Sequence, residues 1–208
     1  MYKRQVLAVA ALCAMLVYYG GGGVWHLTSC LVYGVSLVLL YLASTLYHSF
    51  KGEKLKQRFK FLDHAAIYVL IAGNYTPFTL IPLHGSFGWT VFGVVWALAA
   101  AGIVFKIFFV KRFKVLSTIC YLVMGWFAVV MIGPLMDALG PQAIGWMLAG
   151  GMFYTIGAVF YLLKRIPYNH AIWHLFVLAG SAAHFVAIAK FVLPLPVAAQ
   201  TAAALFLA

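Results

Sequence analysis

Apolar residues fill this chain in runs of about membrane thickness, and its few ionisable residues fall at the ends of those runs. A bilayer crossing needs about 20 mostly apolar residues. Seven runs meet that length: Val6 to the Gly20–Gly23 run, Thr28–His48, Leu62–Leu83, Phe87–Phe109, Val115–Leu135, Ala143–Leu163 and His170–Leu193. An apolar, proline-containing tail (residues 194–208) follows. The pattern predicts an all-α, integral membrane bundle of seven helices, forming one domain over residues 1–208. No internal repeat is visible, so an inverted-repeat transporter has no support.

Composition sharpens that reading. The chain is 66% hydrophobic and 8% charged, with mean hydropathy +1.04, against about 25% charged residues in soluble domains. Net charge is +11, from 14 Lys and Arg against 3 Asp and Glu. In a soluble protein this balance would suggest nucleic acid. Here the basic residues lie in short loops, where they set topology and meet anionic lipid, so no nucleic-acid partner is expected. Residues 51–60 hold five basic side chains; Lys106, Lys111, Arg112 and Lys114 lie between spans four and five, and Lys164 and Arg165 between six and seven. The alternate loops carry no Lys or Arg. This alternation places the N-terminus in the cytosol and the C-terminus outside. Lys190 departs from it and is read as snorkelling from the outer end of span seven.

Two features are set aside. Met1–Gln5 reads as what a transposon-end sequencing adapter encodes from a GTG start; the expectation is a scar and a missing true N-terminus. Cys13, Cys30 and Cys120 are scattered, form no CxxC, and are expected to be free.

With that topology, the polar residues sort by depth. His48 ends span two at the cytosolic side, Asp63 and His64 open span three there, and His170 and His174 open span seven there. His26 and His84 fall outside, and His184 lies about 15 Å deeper than His174. His170 and His174 stand at i, i+4 on one helix face, a spacing that lets two imidazoles hold one metal ion. His48 is at the right depth to be a third ligand. Three protein ligands leave a fourth position for water, as in catalytic zinc sites, and Zn2+ is the expected cofactor. Asp63 is the carboxylate placed to orient that water and accept its proton. Ser44, one turn before His48, is placed to fix a ligand, bind the carboxylate or donate to an oxyanion.

Plainer readings exist for each residue. Histidines at helix ends often sit at headgroup level. Asp63 also suits a first helical turn, or a pairing with Arg58 or Lys60. Ser44 also suits a bond back to a helical carbonyl. His64 reads as interfacial, and His184 as hydrogen-bonded between helices. Asn74-Tyr75-Thr76-Pro77 reads as a proline kink whose polar residues satisfy freed backbone groups, or as a polar cavity lining. Gly150, Gly151, Ala179, Gly180 and Ala183 read as helix-packing positions.

Taken in order, Ser44-xxx-His48, Leu62-Asp63-His64 through Tyr68, Tyr75-Thr76-Pro77-Phe78, and His170-xxx-His174 through His184-Phe185 resemble the bacterial hemolysin III family, which belongs with the progestin and adipoQ (adiponectin) receptors. The resemblance runs from about residue 28 to 193. It implies a seven-helix fold in the bacterial cytoplasmic (inner) membrane, multi-pass, with a cytosol-facing zinc site of His48, His170 and His174. It further implies that Asp63 holds the zinc-bound water and that Ser44 is the SxxxH serine. Eukaryotic relatives are linked to ceramide hydrolysis, which makes membrane lipid the implied substrate. The acidic stretch that usually precedes helix one in the family is absent here. Three functions follow: a zinc-dependent hydrolase of lipid amides or esters, a pore-forming cytolysin, or a receptor or lipid-homeostasis sensor with structural zinc. Few intramembrane polar residues, clustered at one end, argue against the pore. A retinal protein is set aside because Lys190 lies near the outer end of its span without a carboxylate partner. Oligomeric state leaves no mark in the sequence.

Overall fold

The computed structural model describes residues 2–109, 113–163 and 165–197; Lys111, Arg112, Lys164 and the tail from residue 198 lie outside them. Every regular element among the described residues is helical. The helices are α1 Tyr2–Tyr19, α2 Val24–Ser49, α3 Glu53–Leu80, α4 Ser86–Phe109, α5 Lys114–Trp126, α6 Ile132–Leu162 and α7 Asn169–Ala187. Short 3₁₀ turns occupy Gly20–Gly22 and Phe127–Met131, and a π turn, Ile188–Val192, ends α7.

Among the described residues five stretches, rather than the expected seven, are long and apolar enough to cross a membrane: Lys3–Gly22, Val24–Ser49, Ser86–Phe109, Lys114–Leu162 and Asn169–Val192. Two observations account for the difference. First, α3 begins well before Leu62, with Lys54, Lys56 and Arg58 exposed in an added basic segment, and it carries Asp63, His64, Asn74 and Thr76 inside its apolar part. Second, Lys114–Leu162 is continuous only by hydrogen bonding: Gly140 (φ 77°, ψ 174°) breaks the helical path before Pro141. Only glycine takes that φ cheaply, and the proline removes a helical donor.

The expected straight span Val115–Leu135 is also interrupted. The 3₁₀ turn Phe127–Met131 tightens the backbone and leaves carbonyls of the last α5 turn without their usual donors. The Tyr75 hydroxyl supplies a substitute, reaching the carbonyls of Met124 and Gly125 at 2.8 Å each. In α3, Thr76 and Thr79 bond back to the carbonyls of Ala72 and Tyr75 around Pro77. The Asn74 Oδ1 is buried without a partner.

Packing is closest between α2 and α3 and between α6 and α7. Gly73 faces the Ser36 side chain, Gly150 the His184 ring and Gly180 the Tyr154 ring, each too near to admit a β-carbon without displacement. Small residues that let helices approach are the membrane substitute for a hydrophobic driving force. The outer faces are apolar, with Val6, Val17, Phe108 and Val123 well exposed, as a lipid-facing surface requires. Cys13, Cys30 and Cys120 are free, and Lys190 is exposed.

Candidate metal centre and cavity

The last turn of α2 and the first turns of α7 meet at one end of the bundle, and both positions follow from local sequence. α2 stops after Ser49, where Phe50 turns to extended backbone. α7 starts after Tyr168, held at φ 57°, and the Asn169 amide donates to the carbonyls of Leu163 (3.1 Å) and Phe160 (3.3 Å), tying α7 to the end of α6. His170 and His174 then project from one face, and His48 meets them from α2.

The Nε2 of His170 lies 3.0 Å from that of His48 and 3.1 Å from that of His174. All three ligand atoms fall within 4.8 Å of one another, a group that could hold a metal ion. The arrangement is hard to satisfy otherwise. A ring nitrogen offers one in-plane position, occupied by a proton or by a lone pair. The His170 nitrogen therefore cannot hydrogen-bond to both neighbours, and nitrogen lone pairs facing one another repel unless a cation lies between them. Zinc–nitrogen bonds of about 2.0–2.1 Å in a tetrahedron set neighbouring nitrogens about 3.3 Å apart, close to the spacing here.

The remaining histidines are committed elsewhere. His64 bonds through Nδ1 to the Lys60 carbonyl (2.6 Å) and through Nε2 to the Tyr161 hydroxyl (3.4 Å), so it is half-buried and bonded rather than simply interfacial. His184 donates from Nε2 to the Met147 carbonyl (3.1 Å), an α7–α6 bond as expected. His26 donates to the Leu195 carbonyl (2.9 Å), and His84 to that of Leu80 (3.1 Å).

Beside the three histidines opens a cavity of about 450 Å³, within the usual range of ligand pockets. Asp63, Ser44, His170 and His174 line it, along with many apolar side chains from α3, α5, α6 and α7. The Ser44 hydroxyl faces the Asp63 carboxyl without a hydrogen bond of ordinary geometry. Its Oγ is buried and makes no bond back to the helix, which removes its plainer reading. Lys60 and Lys114 line the same cavity, and the Lys114 ammonium donates to the Tyr161 carbonyl at 2.7 Å while lying 3.7 Å over the Tyr161 ring. Arg4, in the segment expected to be a scar, also reaches the lining and lies over Tyr41.

Sequence reasoning left Asn74 open between a kink and a cavity role; it lines the cavity. It missed Tyr154 and Ser181, whose hydroxyls are 2.8 Å apart at the cavity's far end, with the Tyr41 hydroxyl 3.0 Å from Ser181. Isolated tyrosines and serines in apolar helices carry no spacing signal, so nothing in the sequence marked them.

Comparison with known proteins shows the family. The family model described as "Haemolysin-III related" matches residues 5–185. The chain belongs to the haemolysin III family. It is 49% identical to Hemolysin-3 of Bacillus cereus over 190 residues, covering 91% of this chain and 87% of that one. It is 47% identical to the Hemolysin-3 homolog of Bacillus subtilis over 192 residues, covering 92% and 90%. The human monocyte to macrophage differentiation factor is 30% identical over 201 residues, covering 91% and 82%. That human protein belongs to the progestin and adipoQ receptor family, so this haemolysin III chain sits within the wider group. With its apolar helices, it is a multi-pass membrane protein.

Proposed function

We propose that this haemolysin III protein is a zinc-dependent hydrolase of lipid amides or esters. It crosses the bacterial inner membrane seven times, with its N-terminus and its histidine end at the cytosol. The observation that carries the reading is the approach of three imidazole nitrogens, from α2 and α7, at the rim of a largely apolar cavity that also holds a carboxyl group. His48, His170 and His174 would hold the ion at the cavity's rim. Zinc there would supply a Lewis acid for the lipid carbonyl and the attacking water. Asp63 faces that space, takes a proton from water as general base and returns it to the departing amine or alcohol. Ser44 orients the Asp63 carboxyl or donates to the developing oxyanion. The apolar lining seats the acyl chain and excludes water. The seven crossings rest on the division of Lys114–Leu162 at Gly140 and on the polar but otherwise apolar second half of α3.

Metal analysis of the purified protein beside His170→Ala and His174→Ala tests the centre, and lipid turnover in Asp63→Ala tests the reaction. Unchanged zinc in both histidine variants ends the reading. The name of the Bacillus relatives favours a second one, pore formation. Liposome leakage that persists in the metal-ligand variants, with no lipid turnover, would favour it over hydrolysis.

A further inference from the structure

The cavity has a second polar region far from the three histidines, and the unpartnered atoms of the residues that line it there are acceptors. His184 donates its Nε2 proton to the Met147 carbonyl at 3.1 Å. A neutral imidazole carries one proton, so its Nδ1 is left with a lone pair and is an acceptor; that atom is buried and has no partner. Asn74 is 8% exposed, lines the cavity, and its carbonyl Oδ1 is likewise buried without a partner. Tyr154 joins the two: its ring centroid lies 5.4 Å from that of His184, and its hydroxyl faces the Asn74 amide. The Tyr154 hydroxyl is also engaged with Ser181, which takes the Tyr41 proton.

Two buried acceptors without a donor are costly in an apolar interior. Their presence on one cavity calls for a guest that donates. A ketone, ester or ether oxygen cannot satisfy them, and a bare alkyl chain leaves them as they are. An ammonium group would satisfy them but would be costly to bury without a countercharge. A hydroxyl has one proton and answers one of the two, donating to the Asn74 Oδ1 after a rotation of that amide about its soft terminal torsion. Along α7, His184 lies ten residues past His174, about 15 Å, the reach of roughly a dozen extended carbon–carbon bonds.

We infer that the deep end of the cavity, at Asn74 and His184, is a subsite for a hydroxyl group in the middle of a lipid acyl chain, roughly a dozen carbons from the carbonyl. The inference rests on the proposed reading for where the carbonyl sits, at the histidine end. The hydroxyl sets which acyl chain is preferred and takes no part in the chemistry.

Isothermal titration of the purified, zinc-loaded protein with octadecanoate, 12-hydroxyoctadecanoate and 18-hydroxyoctadecanoate tests this without turnover. The expected result is about tenfold tighter binding of the 12-hydroxy acid than of the plain acid, the scale of one hydrogen bond to a buried group. The 18-hydroxy acid, whose hydroxyl lies beyond the subsite, shows no gain. Asn74→Leu, shown to be folded by wild-type zinc content, loses the preference. Equal binding of the three acids by wild type would overturn the subsite and leave water as the occupant of those acceptors. A preference unchanged in Asn74→Leu would overturn it too. Failure of all three acids to bind would overturn the lipid-cavity reading itself, and the subsite with it.

Discussion

The two ends of this bundle carry histidines in opposite bonding states. At the end where α2 turns back toward α1, His26 and His84 each donate to a main-chain carbonyl, and His84 lies among the rings of Trp25 and Trp89. At the end where α2 stops and α7 starts, His48, His170 and His174 reach one another through Nε2. His26 and His84 each commit only one ring nitrogen this way, but among the described residues neither joins a group of three ligand atoms. Three nitrogens left facing one another are costly unless a cation joins them. Position at a helix end therefore does not identify a ligand; the partner of each ring nitrogen does.

The sharpest break in that comparison comes from deleting one histidine at each end. His170→Ala is expected to lower zinc affinity by more than about 100-fold, because losing even a group outside the ligand set costs about 10–100-fold. His84→Ala is expected to keep wild-type zinc. Competition with a chelator of known affinity reads both, and equal retention would dissolve the distinction between the ends. Next comes the carboxyl group. Asp63→Asn is expected to retain zinc and lose lipid turnover by about 10²–10⁴-fold, the usual weight of a general base. A fall in zinc content matching the fall in turnover would instead make Asp63 part of the metal's binding.

A smaller effect lies between the ends. Gly150 faces the His184 ring with no room for a β-carbon. Gly150→Ala must push that ring or separate α6 from α7, and overpacking of this kind costs about 1–3 kcal/mol. Thermal unfolding in detergent should shift down while zinc stoichiometry stays the same. Loss of zinc in this variant would mean that the His184 region and the metal end are coupled through α7.

How far the sequence carried these assignments depends on the kind of signal. The i, i+4 pair on α7 was legible because helical geometry alone brings His170 and His174 together. His48 was legible because loop charges set its depth. Helix type was legible from apolar run length, but the breaks were not: the 3₁₀ turn at Phe127–Met131 falls among residues that read as ordinary helix. It is accommodated by Tyr75, distant in sequence, which no periodicity announces. Pro77 was an obvious irregularity, and the threonines on either side of it bond back to the Ala72 and Tyr75 carbonyls. Asn74 was left for the cavity, a role fixed by which way α3 rotates in the bundle.

The smallest expected effect tests the tied end directly. His26 donates to the Leu195 carbonyl, in the segment after the π turn that ends α7. His26→Ala leaves that carbonyl without its donor, near a helix end where water or a headgroup can replace it in part. The cost should be about 0.5–1.5 kcal/mol, the net weight of one hydrogen bond. Hydrogen exchange should rise at the end of α7 and stay unchanged at His170 and His174, with zinc content unaltered. If His26→Ala instead loosens both ends of α7, the helix transmits strain along its length. The histidine end would then owe its geometry to the whole of α7 rather than to the local tie made by Asn169.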